Sequence, residues 1–318
     1  MGIKIIGTGS AIPKRIVSND ELASFLDTSD EWIISKTGIK NRRVITDETI
    51  NDLAAKAGKM AIERAGINAS DIDLVIGTTV SGDFITPTLS TDILQKIGAN
   101  CPAFDLNAAC SGFIYALEVA NAYITSGLAQ NVLIVSAEMM SRMVDWTDRN
   151  TCILFGDGAG ACVVTEGDSV KYTKLTADGT TEPLYMKSGM GNSPFAANKL
   201  PHGFVEMQGQ EVFKFAVKTI SDEIVEALEK LNINAKYVDH FVLHQANKRI
   251  IDAARLRLKQ PTEKFPINID KFGNMSSASI PVLLDEMAQS NQINKGDTIV
   301  LAGFGAGLTT GTCVIVWE

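Results

Sequence analysis

The run Phe104-Asp-Leu-Asn-Ala-Ala-Cys-Ser-Gly-Phe113 is the most informative part of this chain, because an apolar strand gives way there to a helix. Such a junction places Cys110 at the rim of a sheet and at a helix N-terminus, where unpaired N–H groups and the helix dipole stabilise a thiolate. We therefore predict that the pKa of this thiol lies about one unit or more below its ordinary value of about 8.5. Free cysteines are commonly buried and inert, so this segment alone leaves a nucleophile and a small core residue as alternatives.

Strand-like and helical segments alternate along the chain on both sides of that junction. Short apolar runs at Asp73–Thr78 and Asn131–Ser136 predict strands, and the patterns of Asp52–Ala65, Ser111–Ser126 and Val212–Leu231 predict helices. Alternation of this kind is typical of βαβ units with mostly parallel, buried strands. The sequence therefore predicts an α/β fold.

Two short segments recur in the same order. The recurring pairs are Ile67–Asp73 with Ile233–Asp239, each between a helix and a strand, and Gly156–Gly160 with Gly303–Gly307, each ahead of a Val-rich strand. Chance similarity is the alternative, but two ordered pairs indicate a duplicated α/β unit. We predict two halves, residues 1–170 and 171–318, with the active site where they meet.

Composition excludes several classes of protein. The 318 residues carry a formal net charge of −8, which argues against general nucleic-acid binding. No apolar stretch is long enough to cross a bilayer, and the N-terminus has no signal-peptide layout, so we expect a cytoplasmic protein that does not enter a membrane. Five cysteines without a Cys-x-x-Cys pair indicate free thiols and no metal centre.

Three histidines are available as bases. His202 lies in a Pro-Gly loop, whereas His240 and His244 flank an apolar run and would project to one face of a strand. His244 falls where that strand ends, the usual place for functional residues in an open α/β sheet. His240 lies further back and is expected to be structural, and a pair without a third ligand is weak evidence for metal.

Asn274 stands in a Gly-Ser turn ahead of a helical segment. Taken singly it reads as a turn or cap residue, although its amide could donate to a developing oxyanion. The Gly-x-Gly-Ala-Gly runs lack dinucleotide-binding spacing and precede strands, so we reject a nucleotide fingerprint. Such glycines can instead bring backbone N–H groups close to a reacting carbonyl.

A basic stripe follows His244. Lys248, Arg255 and Lys259 fall on one side of a helix drawn at 100° per residue, and Arg249 lies one step around it. A solvated helix face is the alternative. Beside a candidate site on an acidic chain, the stripe favours an anionic partner.

Taken together, these motifs closely resemble the β-ketoacyl-acyl-carrier-protein synthase III family of condensing enzymes, over essentially the whole chain. The segments that carry the resemblance are Gly7–Pro13, Thr28–Ile33, Asp105–Gly112, Phe155–Gly160, His244–Asn247 and Gly273–Asn274. The resemblance implies a thiolase-like fold, in which duplicated βαβ halves form a layered α/β/α/β/α core. It also implies a homodimer without a cofactor, acting on acyl-CoA and acyl carrier protein.

The family match implies a role for each candidate catalytic residue. Cys110 would take an acyl group from acyl-CoA as a thioester, and His244 and Asn274 would stabilise the enolate formed when a malonyl thioester loses carbon dioxide. The N–H groups of Cys110 and Ala306 would then hold the oxyanion of the condensation step.

Binding residues carry over by the same resemblance. Trp32 and Arg149 would clasp the CoA adenine, Lys36 would contact a phosphate, and Phe84 would cross a dimer interface to close the acyl pocket. The segment that would meet the carrier protein consists of Gln245, Ala246, Asn247, Lys248 and Arg249, with Arg249 pairing with the phosphopantetheine phosphate.

Three departures from the family pattern concern specificity. Lys36 stands where Arg is common, Ala306 replaces a frequent Gly, and Thr310 replaces a frequent Trp near the channel. The sequence leaves open the starter acyl group and the choice between fatty-acid synthesis and a specialised pathway with another starter or acceptor. A hydroxymethylglutaryl-CoA synthase would carry a catalytic Glu in the cysteine motif, which is absent here, and a non-catalytic acyl-CoA sensor does not need the intact Cys, His and Asn.

Overall fold

The computed structural model describes residues 2–188, 193–195, 197 and 203–318. His202 lies outside the described residues. The strands are β1 (Gly2–Ala11), β2 (Arg15–Ser18), β3 (Asn41–Val44), β4 (Leu74–Thr78), β5 (Ala103–Leu106), β6 (Val132–Met139), β7 (Asp157–Gly167), β8 (Val170–Ala177), β9 (Leu184–Met186), β10 (Val205–Met207), β11 (His240–Leu243), β12 (Thr298–Gly305) and β13 (Thr309–Val316). The α-helices are α1 (Asn19–Ala23), α2 (Asp30–Thr37), α3 (Ile50–Ala65), α4 (Leu89–Ile97), α5 (Gly112–Thr125), α6 (Gly209–Lys230), α7 (Lys248–Leu258), α8 (Ile269–Phe272) and α9 (Ser279–Gln289).

Helix boundaries follow local capping chemistry. The side chain of Thr49 accepts a hydrogen bond from Asp52 N at the start of α3, and Gly66 ends that helix in a left-handed conformation with φ +69°. In the same way, Thr88 caps the start of α4 by accepting from Thr91 N, and Gly98 ends that helix in a left-handed conformation. These caps confirm the helix predicted over Asp52–Ala65 to within two residues at its start.

Two mixed sheets form the core of the fold. The first has the order β1-β7-β6-β4-β5 and takes strands only from residues 2–167, and the second has the order β8-β13-β12-β11 and takes strands only from residues 170–316. In both sheets the first two pairings are antiparallel and the third is parallel. This shared order supports the predicted duplication, since β4 and β11 also follow the two matching segments that begin at Ile67 and Ile233.

The prediction of mostly parallel strands is wrong. Antiparallel pairings arise because β12 and β13 are joined by a tight turn, and because β6 is joined to β7 without a helical crossover. The glycine runs also differ from the prediction: Gly156–Gly160 lies largely within β7, whereas Gly303–Gly307 ends β12.

Five layers pack in the order α/β/α/β/α, which confirms the predicted fold class. The central layer is formed by α5 and α9, whose buried side chains Phe113, Leu117 and Leu283 contact apolar side chains from both sheets. Helices α3 and α4 cover the outer face of the first sheet, and α6 and α7 cover that of the second. The two sheets therefore sandwich α5, the helix that follows Cys110.

The cysteines and the apolarity of the helices bear on two expectations from composition. All five cysteines are free, as their spacing predicted. None of the helices in the described part of the chain combines the length and apolarity that a membrane crossing requires.

Candidate active site

Cys110 lies where β5 passes into α5, as the sequence predicted. A short 3-10 turn over Ala109–Ser111 joins the two elements, and Gly112 begins the helix. Ala109 is held in the left-handed region at φ +47°, a conformation that a non-glycine residue keeps only when its surroundings enforce it. The nucleophile candidate therefore sits on a sharp, constrained turn at a helix N-terminus.

One glycine of β12, Gly305, allows the second sheet to approach this turn. A Cβ at Gly305 would stand 2.6 Å from Cys110 N and 2.9 Å from Ala109 Cβ, so only glycine fits at this position. A Cβ at Gly303 would stand 3.6 Å from both Cys110 O and His244 Cβ. The strand β12 thus brings Cys110 and His244 together across Gly303.

His244 follows β11 directly and is almost fully buried, with 3% of its surface exposed. Its backbone N–H donates to Ala302 O at 2.8 Å, and its ring meets the ring of Phe304 edge-on, with centroids 5.6 Å apart. Within the described residues neither ring nitrogen has a hydrogen-bond partner. Burial lowers the pKa of His244 to about 3, so the imidazole is neutral at neutral pH.

Asn274 is fixed by its backbone and by its side chain. Its N–H donates to Leu154 O at 2.8 Å, and its carbonyl accepts from Gly156 N at 3.0 Å. The side-chain Oδ1 accepts from Ser276 N at 2.8 Å. This bond holds the amide with its oxygen toward Ser276 and leaves the Nδ2 group to donate elsewhere.

The hydroxyl of Ser276 also accepts a hydrogen bond from the Cys110 thiol, with Sγ and Oγ 3.4 Å apart. Cys110, His244 and Asn274 all line one cavity of about 740 Å³. A half-buried thiol, a neutral imidazole and an oriented amide in one cavity form a set suited to acyl transfer through a thioester.

The predicted low pKa of Cys110 is wrong. Burial raises the pKa of the thiol to about 12, and the hydrogen bond to Ser276 only partly opposes that rise. Desolvation of the charged form therefore outweighs the helix N-terminus, which the sequence pattern had favoured. Because its pKa is raised, the thiol is protonated at neutral pH and must lose its proton as it attacks.

Predicted CoA-binding residues lie on and beside the same cavity. Trp32 and Lys36 line it, and the guanidinium of Arg149 lies 5.2 Å from the Trp32 ring centroid while contacting Asp27. Among the described residues that line this cavity, the charged side chains are Lys36, Asp148, Lys214 and Arg249. Three of these four side chains are cations, so the cavity wall carries a net positive charge, which suits a phosphate-bearing ligand.

The predicted carrier-protein segment divides into two parts. Ala246, Asn247 and Arg249 line the cavity, and the side chain of Asn247 caps α7 by accepting from Arg249 N at 2.9 Å. The side chain of Gln245 is instead fully buried, donates to Leu243 O at 2.8 Å and accepts from Asn268 N. The Gln245 side chain therefore anchors the chain from inside the protein.

The basic stripe is weaker than the helical projection predicted. Lys248 pairs with Asp252 at 2.6 Å, and Arg255 lies 3.9 Å from the same carboxylate. Lys259 follows the end of α7 in a left-handed conformation, so it is not on the helix face. Arg249 lies 5.5 Å from the ring centroid of Phe213, on the cavity wall.

Three other predicted positions lie away from the cavity wall. Phe84 is 55% exposed on the loop before α4. Ala306 lies in the turn after β12 and directly follows Gly305, the glycine that meets the Cys110 backbone. Thr310 is fully buried on β13, hydrogen-bonds to Glu223 at 2.6 Å and does not line this cavity.

Sequence reasoning missed two residues that touch the catalytic groups. Ser276 contacts both Cys110 and Asn274, and Phe304 packs on His244. Ser276 lies in the quoted Gly-Asn-Met-Ser turn, but nothing in the sequence separates it from the next serine. Phe304 lies inside the second glycine run, where an aromatic residue between two glycines was the available signal.

The whole chain is similar to proteins of one family. The family model for 3-oxoacyl-[acyl-carrier-protein] synthase III matches residues 104–179, and the model for its C-terminal part matches residues 228–317. The β-ketoacyl-[acyl-carrier-protein] synthase III of Clostridium perfringens is 46% identical over 98% of each chain.

Solved structures give the same result. The β-ketoacyl-[acyl-carrier-protein] synthase III of Thermus thermophilus superposes with a TM-score of 0.93 at 42% identity, over 99% of each chain. The priming β-ketosynthase of the R1128 polyketide pathway superposes with a TM-score of 0.92 at 35% identity, over 100% of this chain and 97% of that one.

Proposed function

This chain belongs to the β-ketoacyl-acyl-carrier-protein synthase III family of condensing enzymes, acyltransferases that initiate fatty-acid synthesis, and we propose that Cys110, His244 and Asn274 perform its chemistry. The observation that carries this proposal is their meeting on one cavity, with a neutral imidazole and an oriented amide beside the thiol. The substrates are an acyl-CoA starter and malonyl-acyl carrier protein.

The first step is transfer of the acyl group to Cys110. The sulfur attacks the thioester carbonyl of acyl-CoA, the bond to the CoA sulfur breaks, and the proton of the Cys110 thiol passes to the departing CoA sulfur. His244 is not the base for this step, because its low pKa makes the imidazole too weak to take a proton from the thiol.

The second step is decarboxylation of the malonyl thioester. The bond to its carboxylate breaks, carbon dioxide leaves, and the electron pair delocalises onto the thioester oxygen as an enolate. His244, through a ring N–H, and Asn274, through Nδ2, donate hydrogen bonds to that oxygen as its charge develops. An amide suits the second position because it cannot titrate.

The third step joins the two carbon chains. The enolate carbon attacks the acyl carbonyl on Cys110, and the N–H groups of Cys110 and Ala306 hold the resulting oxyanion. Collapse of this intermediate breaks the carbon–sulfur bond and releases 3-oxoacyl-carrier protein. The Cys110 sulfur regains a proton for the next cycle.

Binding of both substrates uses the positive side of the cavity. Trp32 and Arg149 hold the CoA adenine between ring and guanidinium, a contact that requires the present stacked pair to open. Lys36 and Arg249 contact phosphates of CoA or of the phosphopantetheine arm. The acyl carrier protein, an acidic partner in this scheme, docks on the surface around Asn247 and Lys248.

The working form is a cytoplasmic homodimer. The loop before α4 carries two exposed apolar side chains, Phe84 at 55% and Ile85 at 77% exposure, and a partner subunit would cover them. In that assembly Phe84 closes the acyl pocket of the other subunit.

A specialised pathway is the second candidate function. It is favoured by the similarity to the R1128 priming β-ketosynthase, which is as close in fold as the fatty-acid enzymes. The two functions share all three catalytic steps and differ in the starter acyl group and in the carrier protein that accepts it.

The test is intact-protein mass spectrometry after mixing with acetyl-CoA and with longer and branched acyl-CoAs. We expect an acyl adduct that is absent in Cys110→Ala and is cleared by malonyl-carrier protein. An adduct that malonyl-carrier protein does not clear would favour the specialised pathway. An adduct that survives in Cys110→Ala, or its absence with every donor, would overturn the nucleophile assignment.

A further inference from the structure

Glu138 is a fully buried carboxylate at the end of β6, beneath the catalytic residues. One of its oxygens, Oε2, accepts hydrogen bonds from Ser81 Oγ at 2.6 Å, Val80 N at 3.0 Å and Thr79 Oγ1 at 3.3 Å. The other, Oε1, accepts from Ser277 Oγ at 2.7 Å and Ser277 N at 3.4 Å. The carboxylate therefore joins two chain segments, one on each side.

No cation pairs with Glu138 in the part of the chain that the structure describes. Burial raises the pKa of this carboxyl group, and the hydrogen bonds from Ser81, Val80 and Ser277 oppose that rise. A buried acid without a counter-ion is costly, and an apolar residue of similar size would fill the space at lower cost. A costly buried acid beside the active site therefore indicates that Glu138 has a function there.

The segment that Glu138 holds is strained. Ser276 has φ +47°, in the left-handed region, although it carries a Cβ. Such a conformation persists only where neighbouring contacts enforce it. The hydrogen bonds from Ser277 to Glu138 supply contacts of that kind immediately after the strained residue, and the bond from Met275 N to Ser279 Oγ supplies another immediately before it.

Ser276 is also the residue that touches two catalytic groups. Its hydroxyl accepts from the Cys110 thiol, and its backbone N–H donates to Asn274 Oδ1 at 2.8 Å. A shift of this turn would change both the direction in which the Cys110 thiol donates its hydrogen bond and the orientation of the Asn274 amide. A buried carboxylate that fixes the turn therefore acts on acylation, which uses the thiol, and on decarboxylation, which uses the amide.

We propose that Glu138 is a positioning residue that holds the Ser276–Ser277 turn and thereby sets the geometry of Cys110 and Asn274. This inference rests on the proposed roles of those two residues. Glu138 touches no substrate in this scheme, and it reaches the reacting atoms through Ser276.

Glu138→Gln tests the proposal with little change in shape. An amide has one oxygen, and three donors converge on Oε2, so the amide oxygen would face them and the NH₂ group would face the Ser277 N–H. Donor would then oppose donor at the Ser277 N–H, and the Ser277 hydroxyl, which now donates to Glu138, would have to rotate in order to accept from the NH₂ group. We expect single-turnover acylation of Cys110 and decarboxylation of malonyl-carrier protein each to slow about 10- to 100-fold, with the Kd for CoA changed by less than about twofold.

Two further variants make the test specific. Ser277→Ala keeps the acid and removes the 2.7 Å bond, so it should slow both steps in the same way and carries the test if Glu138→Gln does not fold. Ser81→Ala is the control, since it removes a bond of 2.6 Å to the other oxygen of the same carboxylate, together with the bond that Ser81 Oγ accepts from Met139 N at 2.8 Å. It should leave both rates within about twofold of the parent enzyme, since it does not touch the turn.

The outcomes separate this inference from the proposed function. Folded Glu138→Gln and Ser277→Ala proteins with parental rates, beside an inactive Cys110→Ala, would overturn the positioning role and leave the catalytic assignment standing. If Glu138→Gln and Ser81→Ala slow both steps equally, and their Tm values also fall equally, then Glu138 stabilises the fold and does not specifically position the active site. Acylation of Cys110→Ala would overturn the proposed function itself.

Discussion

The ring of Phe304 meets the ring of His244 edge-on, at 5.6 Å between centroids and 71° between planes. Phe304 comes from β12, whereas His244 follows β11, so the contact joins neighbouring strands at the point where both leave the sheet. Since neither imidazole nitrogen has a hydrogen-bond partner among the described residues, packing against this ring is what orients His244.

Phe304→Ala should therefore impair the step that depends on imidazole geometry. We expect decarboxylation of malonyl-carrier protein to fall about 10- to 100-fold at saturating substrate, because a freely rotating imidazole misplaces its N–H. Phe304→Leu, which keeps most of the bulk, should lose less. The measurement is kcat and KM for carbon dioxide release, and a change confined to KM would contradict this role.

The low pKa of His244 predicts an unusual pH profile. Because burial lowers the pKa to about 3, the imidazole stays neutral from about pH 4 upward, and decarboxylation should show no acid limb near the ordinary pKa of about 6.5. The rate should be followed from pH 5 to pH 8 at saturating malonyl-carrier protein. An acid limb centred near 6.5 in the wild-type profile would contradict the neutral, desolvated histidine.

The same pKa has a consequence for stability. Below about pH 6.5 the unfolded chain protonates this histidine while the folded chain does not, so the unfolded state binds more protons. The free energy of unfolding should therefore decrease as the pH falls from about 6.5, by at most about 1.4 kcal/mol per pH unit from this group. We expect the free energy of unfolding, measured in urea, to change more steeply with pH below about 6.5 for the wild-type protein than for His244→Asn. Equal pH dependence in the two proteins would contradict a lowered pKa of His244.

Asn274→Asp tests the oriented amide. The Ser276 N–H would still find an oxygen, but the donor at Nδ2 would become a second carboxylate oxygen facing the developing enolate. We expect decarboxylation to drop about 100- to 1,000-fold, as when an oxyanion donor is removed, while acylation of Cys110 persists. Asn274→Ala removes the donor without adding charge and should lose less. A mass spectrum after acetyl-CoA, beside a decarboxylation assay, separates the two steps.

Local patterns in the sequence predicted much of this site because they depend on neighbours along the chain. The strand-to-helix junction at Cys110, the strand end before His244 and the helix over residues 52–65 all follow from periodicity and capping. The pKa of Cys110 could not be predicted in the same way, because desolvation raises it and depends on segments distant in sequence, such as β12, that pack against the turn.

Contacts between distant segments were also beyond the sequence. Glu138 and Ser277 are 139 residues apart, and neither belongs to a motif that marks it. The helical projection of Lys259 failed because α7 ends one residue earlier, and antiparallel pairing in both sheets depends on connections that periodicity does not reveal. These are tertiary properties, which a pattern of residue types does not encode one position at a time.

A pair of glycine substitutions tests whether β12 must touch the nucleophile turn. In Gly305→Ala the new Cβ would stand 2.6 Å from Cys110 N, against backbone that cannot yield without moving the thiol. Gly58→Ala is the matched control, because its Cβ would meet only side chains of the core at 3.4 Å or more, within α3. We expect Gly305→Ala to slow Cys110 acylation about 100-fold or more through displacement of the nucleophile.

Gly58→Ala should instead keep full activity and raise the free energy of unfolding by about 0.5 to 1 kcal/mol, since alanine is the better helix former and the space is available. Acylation kinetics and urea unfolding of both variants make the comparison. If a folded Gly305→Ala protein acylates at the parental rate, the close approach of β12 is not what positions Cys110, and the turn at Ala109 must hold the nucleophile without the second sheet.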